Sequence, residues 1–185
     1  MAGAARANRG PSAAAENRRA LVAAAVEVFG EQGIDAPLSA VAKTAGVGQG
    51  SLYRHFPDRM SLALAAFEDN VAELEFLAAQ DGTVLDDLLA LVTEQTIASV
   101  AFVEIVTSAG DDDDRLEAVT ARVSAALERA VRDARRRGDL RRGARTADVL
   151  LALGMVAAIV AKTPTDQRPE TAAAAWSILH RGLDR

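Results

Sequence analysis

Between Leu38 and Phe56 the chain carries two apolar stripes, each too short to persist as a separate helix, divided by Gly46-Val47-Gly48 and closed by Pro57. Such short helices must brace each other, which constrains the fold more than any other stretch of the chain. Ala42, four residues before Gly46, is small enough for a second helix to approach, and Gly46 can adopt the positive φ that a tight turn needs. Leu52 and Phe56, spaced i and i+4, share a face on which Val41 and Val47 can pack. The pattern is a helix-turn-helix.

The rest of the chain repeats apolar residues at helical spacing and shows no alternating strand pattern, so an all-α fold of about nine helices is expected. A first helix is predicted from Arg18 to Gln32, with Leu21, Val22, Ala25, Val28 and Phe29 as its stripe and Gly33 as its stop. Residues 1–15 read as a disordered basic arm without the apolar core of a secretory signal. Asp58 is placed to cap a long linking helix over 59–79, with Met60, Leu64, Phe67, Val71, Leu74 and Phe76/Leu77 as its stripe. Further helices are predicted over 84–99, around 102–107, from the Asp111–Asp114 run to Arg137, over 146–163 and over 165–181. The division expected is a reader over 16–60 and a helical body over 61–185.

Composition removes several classes of chemistry. No cysteine is present and only two histidines, so thiolate zinc sites, iron–sulfur clusters and histidine-rich metal centres are disfavoured, and no metal, cofactor or catalytic group is expected. The longest apolar run, 149–161, suits a buried helix better than a membrane span, and a soluble cytoplasmic protein is expected. A net charge of −5 speaks against binding to phosphate. Split at residue 60, however, it becomes +2 for the first part, with seven cations against five acids, and −7 for the rest. The acidic body is expected to repel DNA from every face except the reader.

The face opposite Leu52 and Phe56 exposes Gln49, Gly50, Ser51, Tyr53, Arg54 and His55. Gln pairs bidentately with adenine, Arg with guanine and Ser with either, while Gly50 leaves room for backbone to approach base edges in a major groove. The stretch Ala45-Gly46-Val47-Gly48-Gln49-Gly50-Ser51-Leu52-Tyr53-Arg54-His55-Phe56, with Phe29, Gly33 and Leu38-Ser39 upstream, resembles the DNA-binding domain of the TetR family of bacterial transcriptional regulators. The resemblance covers about fifty residues, from Arg18 to Phe67.

What the resemblance implies is a repressor that binds a palindromic double-stranded DNA operator as a homodimer and is released by a small-molecule effector. Gln49, Gly50, Ser51 and Arg54 would meet bases, Arg54 alternatively a phosphate. Arg18, Arg19, Ser39, Tyr53, His55 and Arg59 would meet phosphates, with Arg59 where the family usually has lysine. Arg6 and Arg9 would be optional minor-groove contacts. Gly48 stands where serine or threonine is common and leaves the recognition helix less well capped.

For the body, the family architecture implies an effector cavity, with Phe76, Leu88, Val92, Gln95, Phe102, Glu104, Ile105 and Val106 as lining candidates; each could equally be packing or surface. The last two helices carry more apolar surface than a small body can cover, including Leu150, Leu153, Val156, Ile159, Trp176 and Leu179. These are the candidate dimer interface, with Trp176 either anchor or core. Two other readings stay open: a helical adaptor whose helix-turn-helix is purely structural, and a small all-α enzyme. The Asp111–Asp114 run lacks the alternation and glycine of a calcium loop and reads as helix capping.

Overall fold

Helix α1 (Pro11–Gln32) begins before the expected Arg18 and takes in alanines of the segment expected to be a disordered arm. Proline fits the first helical position, where its missing N–H costs no bond, and the Ala-rich run that follows has high helix propensity, which accounts for the earlier start. The computed structural model describes the backbone of residues 11–108 and 114–183 and the side chains of 13–105 and 114–182. Arg6, Arg9, Asp111 to Asp113 and the Val106 side chain lie outside it. Among the described residues the fold is all-α, with nine α-helices and no strand.

After α1 come α2 (Leu38–Thr44), α3 (Gln49–His55), α4 (Arg59–Ala79), α5 (Leu85–Ala98) and α6 (Val100–Ser108). Helices α7 (Asp114–Arg137), α8 (Thr146–Ala161) and α9 (Arg168–Leu183) follow, with a 3-10 turn at Thr165–Gln167 before α9. That turn follows Pro164, whose ring prevents α8 from running on into α9. The Asp58 carboxylate accepts from the Ser61 backbone N–H at 2.6 Å and the Asp58 N–H donates back to the Ser61 hydroxyl, a reciprocal cap that starts α4.

The core has two main parts, and α4 runs through both. At its start Met60, Leu62 and Ala63 pack with Leu21, Phe29, Val41, Leu52 and Phe56; further along, Leu74 joins Leu88, Leu127 and Val149. The first part also contains Phe102 and Ile105 of α6, so the reader's core reaches beyond residue 60. The Phe102 ring stands edge-on to Phe29 at 5.7 Å and to Phe67 at 6.4 Å. Truncating such a buried ring to Ala costs about 3–5 kcal/mol, so Phe102 ties α6 of the body firmly to the reader.

Helix α7 runs alongside α4 in the same direction. Arg115 meets Asp58 at 3.4 Å near the start of α4, Arg122 forms a two-pronged pair with Glu75 at 2.9 and 2.7 Å, and Arg129 meets Asp81 beyond its end. The Arg122 bonds hold the Glu75 carboxyl below its ordinary pKa. Two further bonds tie the bundle: Gln95 of α5 donates to the Asn70 carbonyl and to Glu73 of α4, and the Trp176 indole of α9 donates to Thr93 at 2.8 Å.

Candidate nucleic-acid interface

The turn between α2 and α3 closes as the glycine spacing requires. Gly46 takes φ +65°, its N–H donates to the Lys43 carbonyl, and the Val47 N–H donates to the Ala42 carbonyl at 2.9 Å. Leu52 is fully buried beneath α3 and Phe56 nearly so. They hold α3 down on α1 and α2, so its opposite face must point outward.

That face carries the expected groups. Gln49, Gly50 and Arg54 are exposed, Tyr53 is half out, and Ser51 and His55 are partly covered. The Arg54 Nε donates to the Gly50 carbonyl at 3.1 Å, which orients its guanidinium along the helix. A Cβ added at Gly48 or Gly50 would meet nothing within 4 Å, so neither glycine is required by packing inside the chain. Gly48 caps α3 without a side-chain bond, as its identity predicts. Ser39 and Arg19 are exposed on α2 and α1. Lys43, exposed in the last turn of α2, was given no role from sequence; its signal was a cation opposite buried Val41 and Ala42.

Two assigned phosphate ligands are engaged within the chain. Arg59 donates to the carbonyl oxygens of Ile34, Asp35 and Ala36, and its guanidinium lies over the Phe29 ring. It therefore ties the loop between α1 and α2 to the start of α4 instead of projecting from the reader. Arg18 lies over the Phe56 ring at 5.2 Å and pairs with Glu68 at 3.5 Å, leaving its guanidinium only partly available.

The assigned effector residues do not converge on one cavity. Phe76 is 70% exposed, because α4's helical phase turns it away from the core near the helix end. Phe102 and Ile105 belong to the reader's core, Leu88 to the second core, and Gln95 is spent on α4. Glu104 sits 3.9 Å from Lys162, and Val92 packs against the second core. An apolar concavity of about 330 Å³ is an open groove between α5 and α9 lined by Leu89, Thr93, Ile97, Ala172, Trp176 and His180.

At the proposed interface, Val156 is buried at 2% and belongs to the core of this subunit. Leu150 and Leu153 are partly buried against the second core, and Trp176 and Leu179 against both that core and the cluster around Val156. Only Ile159 of that set is largely exposed. Leu151 and Met155 share its side of α8 at four-residue spacing, and Ile178 of α9 is exposed as well, a set that sequence phase alone does not separate from the buried residues.

A helix-turn-helix with an outward polar recognition face, joined by a long helix to an all-α body, defines a helix-turn-helix regulator of transcription. Residues 21–66 match the model of bacterial regulatory proteins of the tetR family. A TetR transcriptional regulator from Streptomyces coelicolor is similar in structure with TM-score 0.59 and 30% identity, over 90% of this chain and 98% of that one. A TetR-family regulator from Pectobacterium atrosepticum superposes with TM-score 0.64 at 23% identity, over 95% and 97% of the two chains. The uncharacterized HTH-type transcriptional regulator TtgW of Pseudomonas putida is 39% identical over 66 residues, 34% of this chain and 49% of that protein, so the match spans about half of that relative. The chain belongs to the TetR family. It is a transcriptional regulator with a helix-turn-helix DNA-binding domain and not an enzyme.

Proposed function

We propose that the protein is a cytoplasmic repressor that binds a palindromic operator as a homodimer and is released by a small molecule. The outward face of α3 carries this reading: Gln49, Gly50, Ser51 and Arg54 meet bases, while Arg19, Ser39, Tyr53 and His55 meet phosphates, with Lys43 added to that set. Arg59 acts beneath the interface and Arg18, partly exposed, at its edge, together holding α1, α3 and α4 at the angle that presents it.

The exposed stripe Leu151, Met155, Ile159 and Ile178 supports a two-fold partner on α8 and α9, because isolated apolar side chains in this density leave a face that water solvates poorly. Two recognition helices about 34–36 Å apart would then meet successive major grooves. An effector in the groove between α5 and α9 would act through α5 on α4, whose start lies at the reader. No helix among the described residues is long and apolar enough to cross a membrane.

Salt titration of duplex binding tests the DNA reading. With Arg19 and Lys43 from each of two subunits on phosphates, log K should fall against log salt with a slope of roughly −4. A slope near zero would leave the adaptor reading standing.

A further inference from the structure

The body is not evenly acidic. Eight of the fourteen cations beyond residue 60 are arginines between 129 and 145, where residues 128–145 carry only three acids, a local balance of +5. Four of them, Arg132, Arg135, Arg136 and Arg142, line an open concavity of about 340 Å³ at the end of α7. All four are exposed. The pole is remote from the reader: about 25 Å of helix, at 1.5 Å per residue, separates Arg132 from Arg115, which sits at the start of α4.

The concavity is held in shape by the chain around it. Gly138 ends α7 at φ +86°, with the Asp139 N–H donating to the Ala134 carbonyl, and the loop beyond is pinned by buried Leu140 and Ala144. The Arg135 guanidinium donates to the Arg142 carbonyl at 2.9 Å and draws the loop back over the helix. Arg132, Arg135 and Arg136 share one side of α7 at i, i+3 and i+4, and Arg142 closes the opposite wall.

The charge inside it is poorly compensated. Arg136 pairs with Asp133 and Arg132 approaches Glu128 at 3.8 Å, both exposed contacts of little worth, and no carboxylate among the described residues pairs with Arg135 or Arg142. Four guanidiniums around one concavity repel each other, and their planar forks fit phosphate oxygens two at a time. A compact anion with several phosphates would relieve that repulsion. The volume is within the range of small-molecule sites, roughly 300–1,000 Å³.

We infer that this arginine concavity binds a compact polyphosphorylated small molecule, of the nucleoside di- or triphosphate or free polyphosphate class. The site stands on α7 and its following loop and does not depend on the operator, the dimer or the groove proposed above.

Calorimetric titration of the full chain with inorganic tripolyphosphate and, separately, with ATP tests it. The wild type should bind at least one of them saturably. The double variant Arg132→Gln/Arg142→Gln, with helical content checked by circular dichroism, should bind at least tenfold more weakly, because it removes two of the four charged forks and one from each wall. Arg54→Gln, in the reader, should bind as the wild type does. Tighter binding of ATP than of tripolyphosphate makes the ligand a nucleotide, and the reverse makes it a free polyphosphate. No saturable binding of either anion overturns the inference. So does a double variant that binds as well as the wild type, which would put the anion elsewhere on the chain. A concavity that binds random duplex but neither small anion overturns it as well, marking the patch as a second nucleic-acid surface.

Discussion

The Arg59 guanidinium lies 5.3 Å from the centroid of the Phe29 ring while its terminal nitrogens reach the carbonyl oxygens of Ile34, Asp35 and Ala36. A residue whose position suggests a phosphate ligand is thereby the clasp that joins α1, the following loop and α4. Arg59→Ala should lower the stability of the chain by about 2–3 kcal/mol, read from the urea midpoint, because three carbonyls lose a charged donor. Arg59→Lys should recover only part of it, having one point charge in place of a fork. Unchanged stability together with weaker duplex binding would return Arg59 to the interface.

Gly50 is exposed on α3, and nothing in the chain stands where its Cβ would go. Gly50→Ala should therefore stabilise the free protein by about 0.5–1 kcal/mol, the usual helical difference between the two residues. If α3 seats its backbone against base edges, the same change should weaken operator binding. A variant that gains stability and keeps full affinity would show that α3 does not approach DNA at this point.

Acid should loosen the start of α4. Burial pushes the Asp58 carboxyl up, but Ser61, through its backbone and side chain, and the Arg115 guanidinium outweigh that and hold it below its ordinary value. A carboxyl with a lower pKa in the folded state contributes stability above its unfolded value, about pH 4, and loses it as pH falls through the folded value. Urea midpoints measured from pH 6 down to pH 3 should fall more steeply for the wild type than for Asp58→Asn, which keeps a capping oxygen but no charge. Parallel curves would remove Asp58 from the acid response.

Leu151 and Ile178 are 66% and 63% exposed, whereas Val156 on the same helix as Leu151 is 2% exposed. Leu151→Glu with Ile178→Glu should leave the helical content intact and convert a dimer to monomer at micromolar concentration, measured by sedimentation. Val156→Glu should instead unfold the chain, since it buries an unpaired charge. A wild type that is already monomeric would refute the two-fold assembly.

How far the molecule could be read from its residues depended on the distance over which each feature is decided. Asp58 as a cap, Gly46 and Gly33 as left-handed stops and Leu52 as the inward side of α3 are fixed within one or two turns of chain, and the structure has each as expected. Arg59 depends on carbonyls 23 to 25 residues away, and Trp176 on a hydroxyl 83 residues away, partners that periodicity cannot choose. Phe102 had the pattern of a cavity wall, yet its place is set by Phe29 and Phe67 on two other helices. Along α8 nearly every residue is apolar, so helical phase left Leu151 and Val156 indistinguishable until the neighbouring helices were in place.

The measurement that bears most directly on the outward face of α3 is selection of bound duplexes from a random pool, run in parallel with wild type, Gln49→Ala and Ser51→Ala. The account predicts that the wild type enriches an inverted repeat with half-sites about one helical turn apart, and that each variant relaxes or changes base preference at symmetric positions. Enrichment of no sequence by the wild type, or an identical preference in all three proteins, would contradict it.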